Sequence, residues 1–122
     1  MRLEVLKQPF SVCKVESWDG VDLATSFTFA ACTDEEKSLV CPEEFVPTEV
    51  LAREDGWRGL RIQGVLDFSL VGILARIASL LAEKAIPIFA VSTYNTDYLF
   101  MKSDVFEKAL KILQENGYQL TE

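Results

Sequence analysis

The spacing of apolar residues changes period along the second half of the chain, and each change marks a predicted element. Leu60-Arg61-Ile62-Gln63 alternates apolar and polar, as a half-buried strand does. Gly64 interrupts it, and Val65-Leu66-Asp67-Phe68 continues it beyond a bend. From Leu70 to Ala82 the period becomes helical. Val71, Leu74, Ile77 and Leu81 recur at three and four residues, and Ile73 and Leu80 widen the stripe. Arg76, Ser79, Glu83 and Lys84 fall on the other side or at the end, so the segment predicts an amphipathic helix of about four turns. Pro87 ends it. Ile86 to Val91 is a nearly continuous apolar run, the pattern of a strand covered on both faces.

A turn at Tyr94-Asn95-Thr96 and a returning strand over Asp97 to Lys102 predict a β-hairpin. A second helix is expected from Ser103-Asp104, where Asp104 and Glu107 have capping-box spacing. Phe106, Ala109, Leu110 and Leu113 form its buried stripe, and Gly117 is a natural left-handed terminator before a last strand at Tyr118-Gln119-Leu120. The order is strand, helix, strand, strand, helix, strand. It predicts an α+β, ferredoxin-like βαββαβ fold, with two helices on one face of a four-stranded antiparallel sheet.

The first half repeats the rhythm more weakly. Phe10 to Val15 alternates as a strand, and Trp18 to Leu23 predicts a turn with at most one helical turn. Phe27 to Cys32 and Ser38 to Cys41 flank the charged tip Asp34-Glu35-Glu36-Lys37 as a second hairpin. Pro42 to Glu54 holds two prolines and reads as a short helix or an irregular crossover. A strand from Trp57 completes this half and leads into the next. No linker rich in Gly, Ser or Pro separates the halves, so they are expected to pack as one compact body, 1–58 and 59–122.

Composition narrows the function. The 122 residues are 49% hydrophobic and 25% charged, which is globular and not disordered. A net charge of −7 disfavours nucleic acid and anionic membranes as partners. Charge follows Met1 at once, unlike a signal peptide. The longest helical apolar stretch is broken by Gly72, Arg76 and Ser79, so a cytoplasmic protein is expected. Cys13, Cys32 and Cys41 are odd in number and lack C-x-x-C spacing, which speaks against disulfides or a zinc site. With no histidine, Ser-His and Cys-His dyads are absent, and nothing calls for a cofactor.

With these elements placed, "GVLDFSLVGILARIASLLAEKAIPIFAVSTYNTDYLFMK" resembles the ACT domains of small tandem-ACT proteins, which are similar to the ACT repeats of eukaryotic cytosolic arginine sensors. Asp67 to Leu74 and Phe89 to Tyr98 carry the match, and Cys32 to Cys41 resembles the family's T-x-x-E-x-S hairpin. The resemblance implies a degenerate ACT-like half over 1–58 and an ACT domain over 59–122. It further implies a regulatory, non-catalytic module that binds an amino acid where a strand runs into the first helix. Pairing into a homodimer and action on a separate regulated protein are also implied.

The residues themselves point to the same place. Phe68 to Gly72 is a strand-to-helix junction, where unpartnered amides and the positive end of the helix dipole suit a carboxylate. Asp67, Ser69, Val71, Gly72 and Ile73 stand there, with Gly72 allowing close approach to the backbone. Ile88 and Ala90 offer backbone groups and a small apolar wall, Ser92 and Thr93 hydroxyls, and Asp97 an acceptor for a cationic group. Thr33, Glu36 and Ser38 form a second candidate rim. Structural readings stand beside these. Gly72 also suits tight helix packing, Asp67 or Ser69 a helix cap, Ser92 to Asp97 a plain turn, and Glu36 and Ser38 a solvated tip. Trp18 and Trp57 suit core anchors more than ligand stacking.

Two other function classes are open at this stage. A ligand-free pairing or docking module would use exposed edges, its acidity favouring a basic partner patch. A small enzyme would need Asp67, Asp97 or Glu36 as acid and base, without any nucleophile, phosphate-loop or metal spacing beside them.

Overall fold

A computed structural model describes residues 1–64 and 71–122. Among these the chain forms eight strands, two α-helices and a short 3-10 turn. The strands are β1 (Arg2–Val5), β2 (Phe10–Val15), β3 (Phe29–Cys32), β4 (Lys37–Pro42), β5 (Ala52–Ile62), β6 (Phe89–Ser92), β7 (Asp97–Lys102) and β8 (Gln119–Thr121). The helices are α1 (Ile73–Ala82) and α2 (Ser103–Glu115). The chain divides into two compact units, residues 1–7 with 58–122, and residues 8–57. Strand β5 contributes residues 52–57 to one and 58–62 to the other.

The first of these units follows the ferredoxin-like order β5-α1-β6-β7-α2-β8, with one addition. The N-terminal strand β1 lies between β8 and β5, antiparallel to β5 through Leu3↔Ile62 and parallel to β8 through Leu3↔Leu120. Beyond β5 come β7 and then β6. The expected four-stranded antiparallel sheet is therefore five strands wide and contains a parallel pair. The pattern Arg2-Leu3-Glu4-Val5 is a period-two alternation four residues long. Leu3 and Val5 are buried, and their burial gives so short a strand its place.

One sheet face carries the core. Leu3, Val5, Leu60, Ile62, Leu99 and Met101 share a buried cluster with Ile77 and Leu81 of α1 and Phe106, Ala109 and Leu113 of α2. The apolar stripes of both helices are thus as their spacing predicts. Their ends differ from the expectation. Helix α1 stops well before Pro87, in a Schellman turn with Ile86 N–H on the Leu81 carbonyl (3.0 Å) and Ala85 N–H on that of Ala82 (3.0 Å). Helix α2 ends in the same motif, Tyr118 N–H on Leu113 (3.1 Å) and Gly117 N–H on Gln114 (3.2 Å). The left-handed residue is Gly117 (φ 93°) in α2 but Ala85 (φ 58°) in α1. At its start α2 has Lys102 as N-cap without a side-chain cap bond, so the Asp104/Glu107 box is not formed. Asp104 acts through the dipole of the first turn instead.

Alternate residues of the same strands face the other way. Arg61 donates to Glu4 (2.8 Å) and to the Tyr98 hydroxyl (3.4 Å). Phe100 is fully buried and stacks on Phe89 at 4.8 Å. Its ring needs Gly59 beneath it, since a Cβ there would lie 2.9 Å from Phe100 Cε1 and 3.1 Å from Leu6 Cδ1.

The unit over 8–57 has the strand order β5-β2-β4-β3, with antiparallel neighbours throughout. No α-helix occurs among its residues. Trp18, Val21, Val46 and Val50 from its connections cover the buried Cys13, Val15, Leu39 and Cys41. The segment after Pro42 is a 3-10 turn over Glu43–Phe45, anchored by Glu43 Oε2 accepting from Gly56 N–H at 2.7 Å. Burial of Cys41 pushes its thiol up to about 11, with the neighbouring Cys13 adding to the rise and Arg53 opposing it. Cys32 is exposed.

Gly59→Ala is expected to lower unfolding free energy by about 1–3 kcal/mol through overpacking against Phe100, measured by urea denaturation. Ala85→Gly is expected to raise it by up to about 1 kcal/mol, and Gly117→Ala to lower it by about 1 kcal/mol, because only glycine adopts positive φ without steric cost. Cys41 makes stability pH-dependent. Its thiol is harder to ionise folded than unfolded, so its contribution is complete below the unfolded value near 9 and is lost as pH rises toward 11. The urea midpoint should fall over that window, and less so in Cys41→Ala. A thiol reagent at pH 8 should modify Cys32 quickly and the other two cysteines only on unfolding.

Candidate functional site

Helix α1 begins at a backbone position that favours glycine. Gly72 is its N-cap, with φ 79° and ψ 0°. Its left-handed φ calls for glycine, and among the described residues nothing lies within 4 Å of where its Cβ would be. Its carbonyl accepts the first helical bond, from Arg76 N–H at 2.9 Å. The amides of Ile73, Leu74 and Ala75 therefore have no acceptor within the helix, and Gly72 has no side chain to cap them.

A cavity of about 310 Å³ opens at this point. Val71, Gly72 and Ile73, three of the sequence-predicted residues, line it together with Arg76 one turn further on. Asn116, Gly117 and Tyr118, from the turn between α2 and β8, form the opposite wall, and Met1 also lines it. No acidic side chain is among these lining residues. The Arg76 guanidinium carbon lies 5.8 Å from the centre of the Tyr118 ring, a cation–π distance. Val71 is 90% exposed, which leaves an apolar lip at the mouth. A guanidinium and a helix N-terminus whose first amides have no acceptor in the helix suit a carboxylate, and the apolar lip suits an aliphatic group attached to it.

The sequence pattern missed Arg76, Asn116, Gly117 and Tyr118. Arg76 reads as the solvent face of α1, and Asn116-Gly117 as a helix stop. Only the return of α2 toward the start of α1 brings them together. Asp67, Phe68 and Ser69 lie outside the described residues. The other candidates do not line this cavity. Ile88 packs on the core, and Ala90 and Ser92 are exposed on β6. Asp97 pairs with Ser92 across the hairpin. Thr93 closes that hairpin, its N–H and Oγ1 both donating to the Thr96 carbonyl at 2.8 and 2.9 Å. Thr96 is buried, and its hydroxyl donates to the Ile62 carbonyl at 2.7 Å.

Thr33 closes the β3–β4 turn in the same way, with its N–H on the Glu36 carbonyl at 2.9 Å and its Oγ1 accepting from Glu35 and Glu36 N–H at 3.1 Å each. Glu36 and Ser38 line a second hollow, of about 250 Å³, in the 8–57 unit. Among the described residues no group of three or more Cys, Asp or Glu could hold a metal ion. None of their helices is long and apolar enough to cross a membrane.

The fold is that of an ACT domain, and the ACT domain model matches residues 52–115, more than half of the chain. The chain belongs to the ACT domain family. Among solved structures, protein Atu0741 from Agobacterium tumefaciens is similar at 28% identity and a TM-score of 0.84, over 98% of this chain and 90% of that one. A protein of unknown function from Vibrio cholerae, VC0802, described as a possible transport protein, is similar at 23% identity and a TM-score of 0.70, over 93% and 88%. The aspartate kinase of Clostridium acetobutylicum, described as an allosteric enzyme, shares the fold at 15% identity and a TM-score of 0.64, over 89% of this chain and 33% of that one. No curated protein matches.

Proposed function

We propose that the chain is a non-catalytic regulatory module that binds a free amino acid at the start of α1 and acts, as a cytoplasmic homodimer, on a separate protein. The observation that carries this is the cavity of about 310 Å³ opening on the first turn of α1, with Arg76 in its wall and no acid among its described lining residues. In a chain of net charge −7, that wall favours an anionic group. The ligand carboxylate accepts from the Ile73 and Leu74 amides and from Arg76, while its side chain rests on Val71 and Ile73. Asp67 is assigned the α-ammonium group on chemistry alone. Membership of the ACT family supports small-molecule binding of this kind.

The 8–57 unit is proposed to be a second, degenerate ACT-like half. In support, β3 and β4 begin and end sixty positions before β6 and β7, and both hairpins are closed by a threonine bonded to the carbonyl three residues on. A ligand-free pairing module is the second reading. It draws on β6, an edge strand among the described residues, whose exposed Ala90 and Ser92 carry no charge to discourage pairing.

Thermal unfolding with each common amino acid in turn tests the first reading. A true ligand at a hundredfold its Kd adds about 2.7 kcal/mol of stability. Arg76→Ala should abolish that gain while leaving the unliganded midpoint within a degree or two, since Arg76 is exposed. A dimer that forms readily but shows no shift with any amino acid would favour the pairing module instead.

A further inference from the structure

We propose that the outer surface of the connections covering the 8–57 sheet is a docking surface for a basic amphipathic helix of another protein. Residues 8–57 hold eleven acidic and three basic side chains, while the rest of the chain holds eight acidic and nine basic ones. The acidity of the chain, net −7, is thus that of this unit. Two connections cover one face of its sheet, residues 16–28 between β2 and β3 and residues 43–51 between β4 and β5. Trp18 and Val21 from the first and Val46 and Val50 from the second pack on the same buried cluster. The connections run side by side, since a Cβ on Gly20 would lie 3.5 Å from Pro47 Cβ. They are apolar on their outer side as well. Leu23, Phe45 and Leu51 are 65%, 48% and 58% exposed. Of the other large apolar side chains exposed among the described residues, Met1 and Val71 line the α1 cavity and Tyr94 sits in the β6–β7 turn. A layer with apolar groups on both sides is the middle of a stack, and its outer side is left for a partner.

Charge defines the partner. Glu16, Asp19, Asp22, Glu44 and Glu49 are exposed on the same two connections, which contain no lysine or arginine. Among the described residues none of these five carboxylates is in an ion pair. Of the unit's three bases, Arg53 is held by Asp55 at 2.9 Å and Lys37 is half-buried at the start of β4. Lys14 stands between Cys13 and Val15 of the covered cluster and so faces the other side of the sheet. A second copy would bring like charges onto this surface, and nucleic acid or anionic lipid would be repelled. A helix with lysines and arginines beside an apolar stripe meets both the carboxylates and the three exposed apolar groups. Its length agrees. Residues 43–51 run from the end of β2 at Phe10, opposite Pro42, to that at Lys14, opposite Ala52. That span of about 13 Å is covered by about nine helical residues. Such a helix would belong to the separate protein of the regulatory reading above, and docking rests on that reading only there, since it needs no ligand at the α1 cavity.

Backbone amide shifts of the labelled protein, titrated with synthetic peptides of about fourteen residues, test this. One is an amphipathic helix of leucine and lysine, one has serine in place of every leucine, and one has glutamate in place of every lysine. The leucine–lysine peptide should shift amides within 16–28 and 43–51 saturably, and bind about tenfold or more tightly than either of the others. Phe45→Ser and Leu51→Ser, both at exposed positions, should each weaken it about fivefold or more in a protein that keeps its amide spectrum elsewhere. Arg76→Ala should leave it unchanged, so failure at the α1 cavity is read separately from failure here. No saturable shift in these connections, equal affinity for the serine–lysine peptide, or unchanged affinity in both Phe45→Ser and Leu51→Ser would overturn the proposal. So would concentration-dependent shifts there without peptide, which would mark the surface as a contact between copies of this chain.

Discussion

Burial of the helical stripes against one face of the sheet determines where everything else can lie. Ile77 and Leu81 share a core with Leu60, Ile62 and Leu99, and each such side chain contributes about 1.5–3 kcal/mol when fully buried. A good N-cap contributes typically about 1 kcal/mol. Helix α1 can therefore begin at a left-handed glycine with no cap of its own, because packing along its length holds it in place. The same packing brings the end of α2 beside the start of α1. The cavity follows from both: Gly72, Ile73 and Arg76 from one helix, and Gly117 and Tyr118 after the other.

The two hairpins show how one backbone device serves different surroundings. Thr33 and Thr93 make the same bonds to the carbonyl three residues on. Beyond the second, Thr96 is buried and tied to Ile62, and Tyr98 covers the Arg61–Glu4 pair. Beyond the first, Glu36 is exposed and Ser38 is small, so the sheet face stays open. The turn chemistry is thus independent of whether the neighbouring face is filled. Turn closure accounts for the bonds of Thr33 and Thr93.

Much of this was legible in the chain because the helices and the hairpins obey strong local periodicities. Val71, Leu74, Ile77 and Leu81 announce α1, and Gly117 announces the end of α2, where a left-handed residue is needed. The end of α1 was less legible because Ala85 takes the role usually given to glycine, and Pro87 drew the boundary too late. The strand β1 escaped notice because four residues carry little pattern, and its place between β5 and β8 depends on long-range pairing. At the cavity, Val71, Gly72 and Ile73 could be named from the strand-to-helix junction. Arg76, Asn116 and Tyr118 could not, since their role arises only from the meeting of segments some forty residues apart.

The functional account rests on the first amides of α1 and a guanidinium meeting a carboxylate at one helix end, in a family whose members generally bind small molecules. A crystal structure of the protein grown with a mixture of the common amino acids tests this most directly. The account expects carboxylate density within hydrogen-bond distance of the Ile73 and Leu74 amides, with the Arg76 guanidinium turned toward it. A cavity filled by protein side chains, from the same protomer or its neighbour, with no room left at those amides, would contradict it.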